Sequence, residues 1–321
     1  NNMATQIAPD VIDLFIKQLD RIEICEKISL YLYTRGGDTA AAWNLVNLLR
    51  MYCDELQVII PHKAHSAGTI ISLGANEIIM TKQATLSPID PSINTPLNPS
   101  IPNGFGNTVP VSVEAVKGYL EFAKGELSIK DDMALSNILI KLSEYVHPLV
   151  LGQVYRSKAQ IQMLAEKLLQ NQVTNKETIK KIIAFLCSES GSHDYTINRR
   201  EAENDLGLKV SKPTEEQYNI IKEIYDNINE ELEFNKPFNP VEINGAYTVR
   251  RVLVESLKGG ADYFVTEGEV VHGQDSNGQQ MIQNNIQFEG WRHEETEMLN
   301  LKISNIGSED VYYERSDEFQ I

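Results

Sequence analysis

Cysteine is scarce. Cys25, Cys53 and Cys187 are the three in 321 residues, and none stands beside a histidine or in a CxxC pair. A scattered, odd-numbered set builds no disulfide framework and no thiol nucleophile, and it fits a reducing compartment. No apolar run reaches the ~18 residues that a spanning helix needs, and no signal peptide is visible. A cytoplasmic protein without a membrane span is therefore expected, although the opening NNMATQ is not taken as a natural start. Basic runs are missing too. With 29 Lys+Arg against 45 Asp+Glu the formal charge is −16, which argues against a nucleic-acid partner. No HExxH, no His-carboxylate cluster, no GxGxxG and no GxxxxGK[ST] is found, so neither metal nor cofactor is expected. GQDSNGQ offers Asp275 and Asn277 but no acid to close a calcium loop, and it reads as a turn.

What remains is an ordinary globular composition, 42% hydrophobic and 23% charged. Val11, Leu14, Phe15, Leu19 and Ile22 recur at helical spacing, which predicts a helix over 6–22. Then strand and helix alternate: ISLYLY (28–33), a helix opening on Asp38, LQVIIP, a short helix in SAGTIISLGA, and EIIM. Short connections of this kind predict a parallel sheet with right-handed crossovers. Residues 87–110 carry six prolines and read as a long loop, a candidate flap. VSVEAVKGYLEFAKGELSI (111–129) returns to helix, 157–187 form one or two further helices, and TINRREAENDLGL reads as a helix that stops at Gly207. TEEQYNIIKEIYDNINEELEF is a strongly acidic amphipathic helix. Beyond NKPFNP the texture turns β-rich, so 241–321 reads as a small appended β or α+β element.

Two corners carry the chemistry. The first strand runs into Gly36-Gly37 just before a helix, at the end of a sheet strand where open α/β folds hold ligands. Glycine lets a bound group approach the backbone, and free amides there favour a phosphate or an oxyanion. The second corner, AHSAG, turns from strand to helix at Ser66, with Ala64, Ala67 and Gly68 as small neighbours. Two readings of Ser66 stand: an exposed nucleophile with the Ala67 amide beside it, as in a nucleophile elbow, or a plain helix cap.

The two corners occur in order, Ser66 following Gly37 by 29 residues. The run LYTRGGDTAAAWNLVNLLR…PHKAHSAGTIISLGANEIIMTKQATLSPIDPS, with CSESGSHDYTINRREAENDLGL, resembles the serine dehydrogenase proteinase family of the ClpP and signal peptide peptidase superfamily. The likeness covers roughly 6–210. It implies an α/β fold, a ClpP/crotonase-like spiral of ββα units with a helical C-terminal part, whose first strand is missing from this chain. It implies Ser66 as nucleophile and Gly36, Gly37 and Ala67 as oxyanion-hole positions.

The general base stays open. Clp-type enzymes place a histidine where this chain has Asp90, in PIDPS. A lysine, as in signal peptide peptidases, is one substitute: Lys117, 51 residues after Ser66, or Lys124. His193 is another, oriented by Asp194 or Asp90; Asp194 precedes a Glu-Ala pair by seven residues, as the Clp aspartate does. His65 adjoins the serine but points away by sequence alternation. His62, His147, His272 and His293 lack such a context.

The expected protein is thus a cytoplasmic, homo-oligomeric serine peptidase acting on a peptide or protein. Its peptidase domain spans 1–235 and an appended element 236–321. A ClpP-like scaffold without catalysis and a crotonase-like acyl-CoA enzyme are the alternatives.

Overall fold

Apolar residues at helical spacing build α1 (Val11–Ile22), with Val11, Leu14 and Leu19 turned inward. It starts later than expected because Ile7 runs extended, pairing in parallel with Gly37. The computed structural model describes residues 3, 5–89, 92–93, 95–100, 108–189, 195–274 and 280–295.

Three times the chain repeats one move. β1 (Cys25–Tyr31) passes through an isolated bridge at Thr34 into α2 (Thr39–Tyr52). β2 (Cys53–Ile60) passes through β3 (Lys63–Ala64) into α3 (Ala67–Leu73). β4 (Glu77–Met80) passes into β5 (Thr85–Leu86). The proline-rich stretch then departs from the expected loop: β6 (Ser92–Ile93) pairs antiparallel with β7 (Val111–Ser112), and Ser100 bridges Thr108. Proline forbids helix interiors but leaves extended backbone available for such pairs.

Helices follow. α4 (Val113–Lys124) begins where the Ser112 hydroxyl accepts the Ala115 N–H at 3.1 Å. α5 (Asp132–Tyr145), α6 (Pro148–Leu169) and α7 (Lys176–Ala184) come next, α7 ending in a π-helical turn at Phe185–Glu189. Where one helix was expected at TINRREAENDLGL, β8 (Ile197–Asn198) comes first and a π-helical turn, Glu201–Asp205, follows. β9 (Val210–Ser211) and α8 (Glu215–Glu231), the latter opened by a Thr214/Gln217 capping box, complete the unit Asn1–Phe238.

The main sheet runs β1-β2-β4-β9, all parallel, and a small sheet runs β3-β5-β8. Long strand, short strand and helix recur as the ββα spiral of an α/β fold. Leu45 and Val46 of α2, Val58 and Ile60 of β2, Ile70 of α3 and Leu168 of α6 share one buried core. Val111, Val113, Val150 and Val154 form a separate small cluster under α4.

The second unit, Asn239–Ile321, starts four residues after Asn235. It holds an antiparallel sheet of β10 (Gly245–Ser256), β11 (Gly260–Gln274) and β12 (Gln280–Glu294), in that order. Asp275 and Asn277 lie outside the described residues. Among the described residues no helix is long and apolar enough to cross a membrane.

Candidate active site

Asp38 fixes the first corner. Its carboxylate accepts the Ala41 N–H at 2.7 Å and so caps α2. The Thr34 N–H donates to the Lys63 carbonyl at 3.0 Å, and the His65 N–H donates back to Thr34 at 3.1 Å. The glycine corner is thereby zipped alongside the serine corner. Gly36 has φ +120°, and a methyl group there would lie 2.8 Å from Ser66 Cβ and 3.3 Å from its Oγ. Gly37, at φ +147°, abuts Ile7, whose backbone N and O would be 2.3 Å from an added methyl. Only glycine fits either position.

Ser66 adopts φ 51°, ψ −109° and makes no side-chain cap to α3. The cap reading of the sequence is therefore not the observed one. A non-glycine residue held at such angles costs on the order of 1–3 kcal/mol and persists only where its surroundings over-determine it. Those surroundings are identifiable. The Ser66 N–H donates to Ser87 Oγ at 2.8 Å. Ser87 is held in turn by Thr69, whose hydroxyl donates to the Ser87 carbonyl at 2.8 Å and accepts its N–H at 3.2 Å. Thr69 and Ser87 are both buried. Ser66 itself is 9% exposed; its hydroxyl makes no hydrogen bond among the described residues and is not sealed from solvent.

The amides around it differ. Gly36 N–H donates to Thr34 Oγ1 at 3.0 Å, so this expected donor is already engaged. The N–H groups of Gly37 and Ala67 have no partner among the described residues. Ala67 is the first residue of α3, where a helix leaves donors unsatisfied.

The expected bases are less well gathered. Lys117 lies on α4, half-buried, with its Nζ 3.3 Å from Glu121. Lys124 ends that helix exposed. Asp90, His193 and Asp194 lie outside the described residues. His65 turns its Nε2 to Thr85 Oγ1 at 2.9 Å. His147 caps α6, accepting the Leu149 N–H, and His293 pairs with Asp262 at 2.9 Å. The described residues contain no group of His, Cys, Asp and Glu that could hold a metal ion.

Sequence reasoning missed Thr34, Thr69 and Ser87, whose only signal is small hydroxyl residues flanking the corners. It also missed a cationic neighbourhood. Burial pushes the Lys63 amine below its ordinary range and Arg35 adds to this. The same burial lowers His62, with Lys63 contributing, and the His62 ring stacks on Tyr225 of α8. The lone lysine of PHKAHSAG was the available hint.

Residues 20–114 match the family described as ClpP-like SDH-type serine proteinase. This is the family that the two corners resemble. An uncharacterized protein of Methanocaldococcus jannaschii is 31% identical over 198 residues, 62% of this chain and 58% of that protein. A second uncharacterized protein of the same organism is 27% identical over 199 residues, 62% of this chain and 55% of its own length. The chain thus spans little more than half of these curated relatives. Two solved structures are also similar, both of a 1510-N membrane-bound stomatin-specific protease. One is a serine-to-alanine mutant (16% identity, TM-score 0.39, 71% of this chain and 80% of that one). The other is a lysine-to-alanine mutant in complex with a substrate peptide (16%, 0.39, 66% and 73%).

Proposed function

We propose that this protein is a serine peptidase in which Ser66 is the nucleophile. The observation that carries this reading is the serine corner itself: Ser66 at φ 51°, uncapped, in contact with Gly36. A strand-to-helix turn of that strain aims a hydroxyl outward. The family match over residues 20–114 supports the same reaction class.

In the proposed reaction Ser66 Oγ attacks the carbonyl carbon of a peptide bond and its proton passes to a base. The N–H groups of Gly37 and Ala67 receive the negative oxygen, a role in which one donor is commonly worth about 2.7–4 kcal/mol. Collapse of the intermediate expels the amine, which takes the proton from that base, and leaves an acyl-serine. Water, deprotonated by the same group, then releases the acid. The Gly36 amide is left out of the hole because Thr34 engages it. The base is Lys117 or the His193–Asp194 pair.

The test is direct. Incubation of the full chain with an unfolded protein, followed by mass spectrometry of new termini, should give fragments that are absent with Ser66→Ala. Equal fragmentation by both proteins would overturn the proposal.

A second reading, a ClpP-like scaffold without catalysis, is favoured by one fact: no base is hydrogen-bonded to the Ser66 hydroxyl among the described residues. It predicts no fragments from either protein.

A further inference from the structure

The peptide unit between Gly36 and Gly37 is flanked on both sides by residues without a Cβ, so its rotation meets little steric resistance. Half a turn would exchange its two ends. A carbonyl oxygen would then point where the Gly37 N–H points, and that oxygen would repel the negative oxygen of a tetrahedral intermediate. A glycine corner that serves as an oxyanion hole therefore needs something to hold this unit one way round.

Ile7 supplies the hold. Its N–H donates to the Gly36 carbonyl at 2.9 Å, and its own carbonyl accepts the Asp38 N–H at 2.7 Å. Both peptide units that meet at Gly37 are thus fastened along one edge. Thr34 Oγ1 also faces the Gly36 carbonyl, but at 3.5 Å it stands at the outer limit of a hydrogen bond.

The direction of the free amide follows. The peptide bonds are trans, and the C=O and N–H of a trans peptide point opposite ways. With the Gly36 carbonyl turned to Ile7, the Gly37 N–H points away from Ile7. Gly36, the other half of the same unit, abuts Ser66, which sets this N–H at the serine corner.

Ile7 is anchored in its turn. Its side chain packs against the main core. Ala8 precedes Pro9, a context that disfavours the helical conformation and keeps the segment extended up to α1.

We infer that Ile7 is a positioning residue for the reaction: its backbone N–H holds the Gly36–Gly37 peptide so that the Gly37 N–H meets the oxyanion. The inference rests on the peptidase reading and adds to it a part of the chain 59 residues before Ser66.

Labelling of the full chain by a fluorophosphonate, followed against probe concentration, separates the maximal rate from the half-saturating concentration. Ile7→Pro deletes the N–H and the side chain, whereas Ile7→Ala deletes the side chain alone. At a temperature where both are folded, Ile7→Ala should match the maximal rate of the parent chain. Ile7→Pro should lower that rate by roughly 10- to 100-fold, within the worth of one oxyanion donor. Half-saturation should not move, because the bond serves the transition state and not the encounter. Should Ile7→Pro fail to fold, the α-hydroxy analogue of isoleucine at position 7 deletes the same N–H and keeps the side chain; a synthetic segment 1–24 ligated at Cys25 carries it. Equal maximal rates for the N–H-deleted chain and Ile7→Ala, or a loss confined to half-saturation, would overturn the inference and leave Ser66 as nucleophile. No labelling of the parent chain would overturn the nucleophile itself, and this inference with it.

Discussion

Ser66 and Gly36 are in contact although 30 residues separate them, and the fit leaves no room for a methyl group between them. Two corners that look unrelated along the chain are one local structure, joined by the hydrogen bonds between Thr34 and the Lys63–His65 segment.

Gly36→Ala tests that contact. The substituted residue faces both a φ of +120° and a 2.8 Å approach to Ser66 Cβ. Strain and overpacking together should cost at least about 2 kcal/mol. Chemical denaturation should therefore give a lower midpoint at an unchanged slope. A midpoint equal to that of the parent chain would mean that the corners do not touch.

Ser87→Ala removes the acceptor of the Ser66 N–H. A buried donor left without a partner costs about 1–3 kcal/mol. The serine corner should also relax, so peptide hydrolysis should fall by more than the small folding loss explains at a temperature where both proteins are folded. Unchanged kcat in a destabilised variant would reduce Ser87 to a packing residue.

The His62 ring is held below its ordinary value of 6.5, by burial first and by Lys63 next. The folded protein thus binds fewer protons than the unfolded one just below pH 6.5. The stability this contributes is complete above 6.5 and is lost as pH falls through the folded-state value. The thermal midpoint should drop between pH 7 and 5.5, and drop less in His62→Phe, which keeps an aromatic face against Tyr225. Parallel curves for the two proteins would exclude His62 as the source.

The choice of base is open to a paired experiment. Lys117→Ala and His193→Ala are compared at a temperature where the thermal midpoint and helix signal show each to be folded. One of the two should lower kcat by about 10²–10⁴-fold, the usual contribution of a positioned base. If neither does, both are excluded and another group serves as the base.

Much of the corner geometry was legible in the sequence, because it depends on residue types that permit few conformations. Two adjacent glycines, an aspartate before an Ala-rich helix, and small residues around Ser66 all restrict the backbone locally. What holds Ser66 was not legible. Its bond to Ser87 spans 21 residues and the Thr69–Ser87 pair spans 18. Those are contacts made by folding, without periodicity to betray them. The engagement of the Gly36 amide by Thr34 escaped notice for a different cause: a hydroxyl two residues upstream has several rotamers, and only one reaches that amide. The two-residue strands β6 and β7 lie 18 residues apart within proline-rich sequence, too short to carry an alternation signal. The appended sheet was read from alternation in β11 and β12, whereas β10 has a weaker pattern.

The account stands on the Ser66 hydroxyl as a nucleophile, and active-site labelling reads that property most directly. A fluorophosphonate should add to the full chain once, with the adduct mapped to the Ser66 peptide by mass spectrometry, and Ser66→Ala of equal thermal midpoint should take up none. An adduct of equal stoichiometry on the Ser66→Ala protein would contradict it.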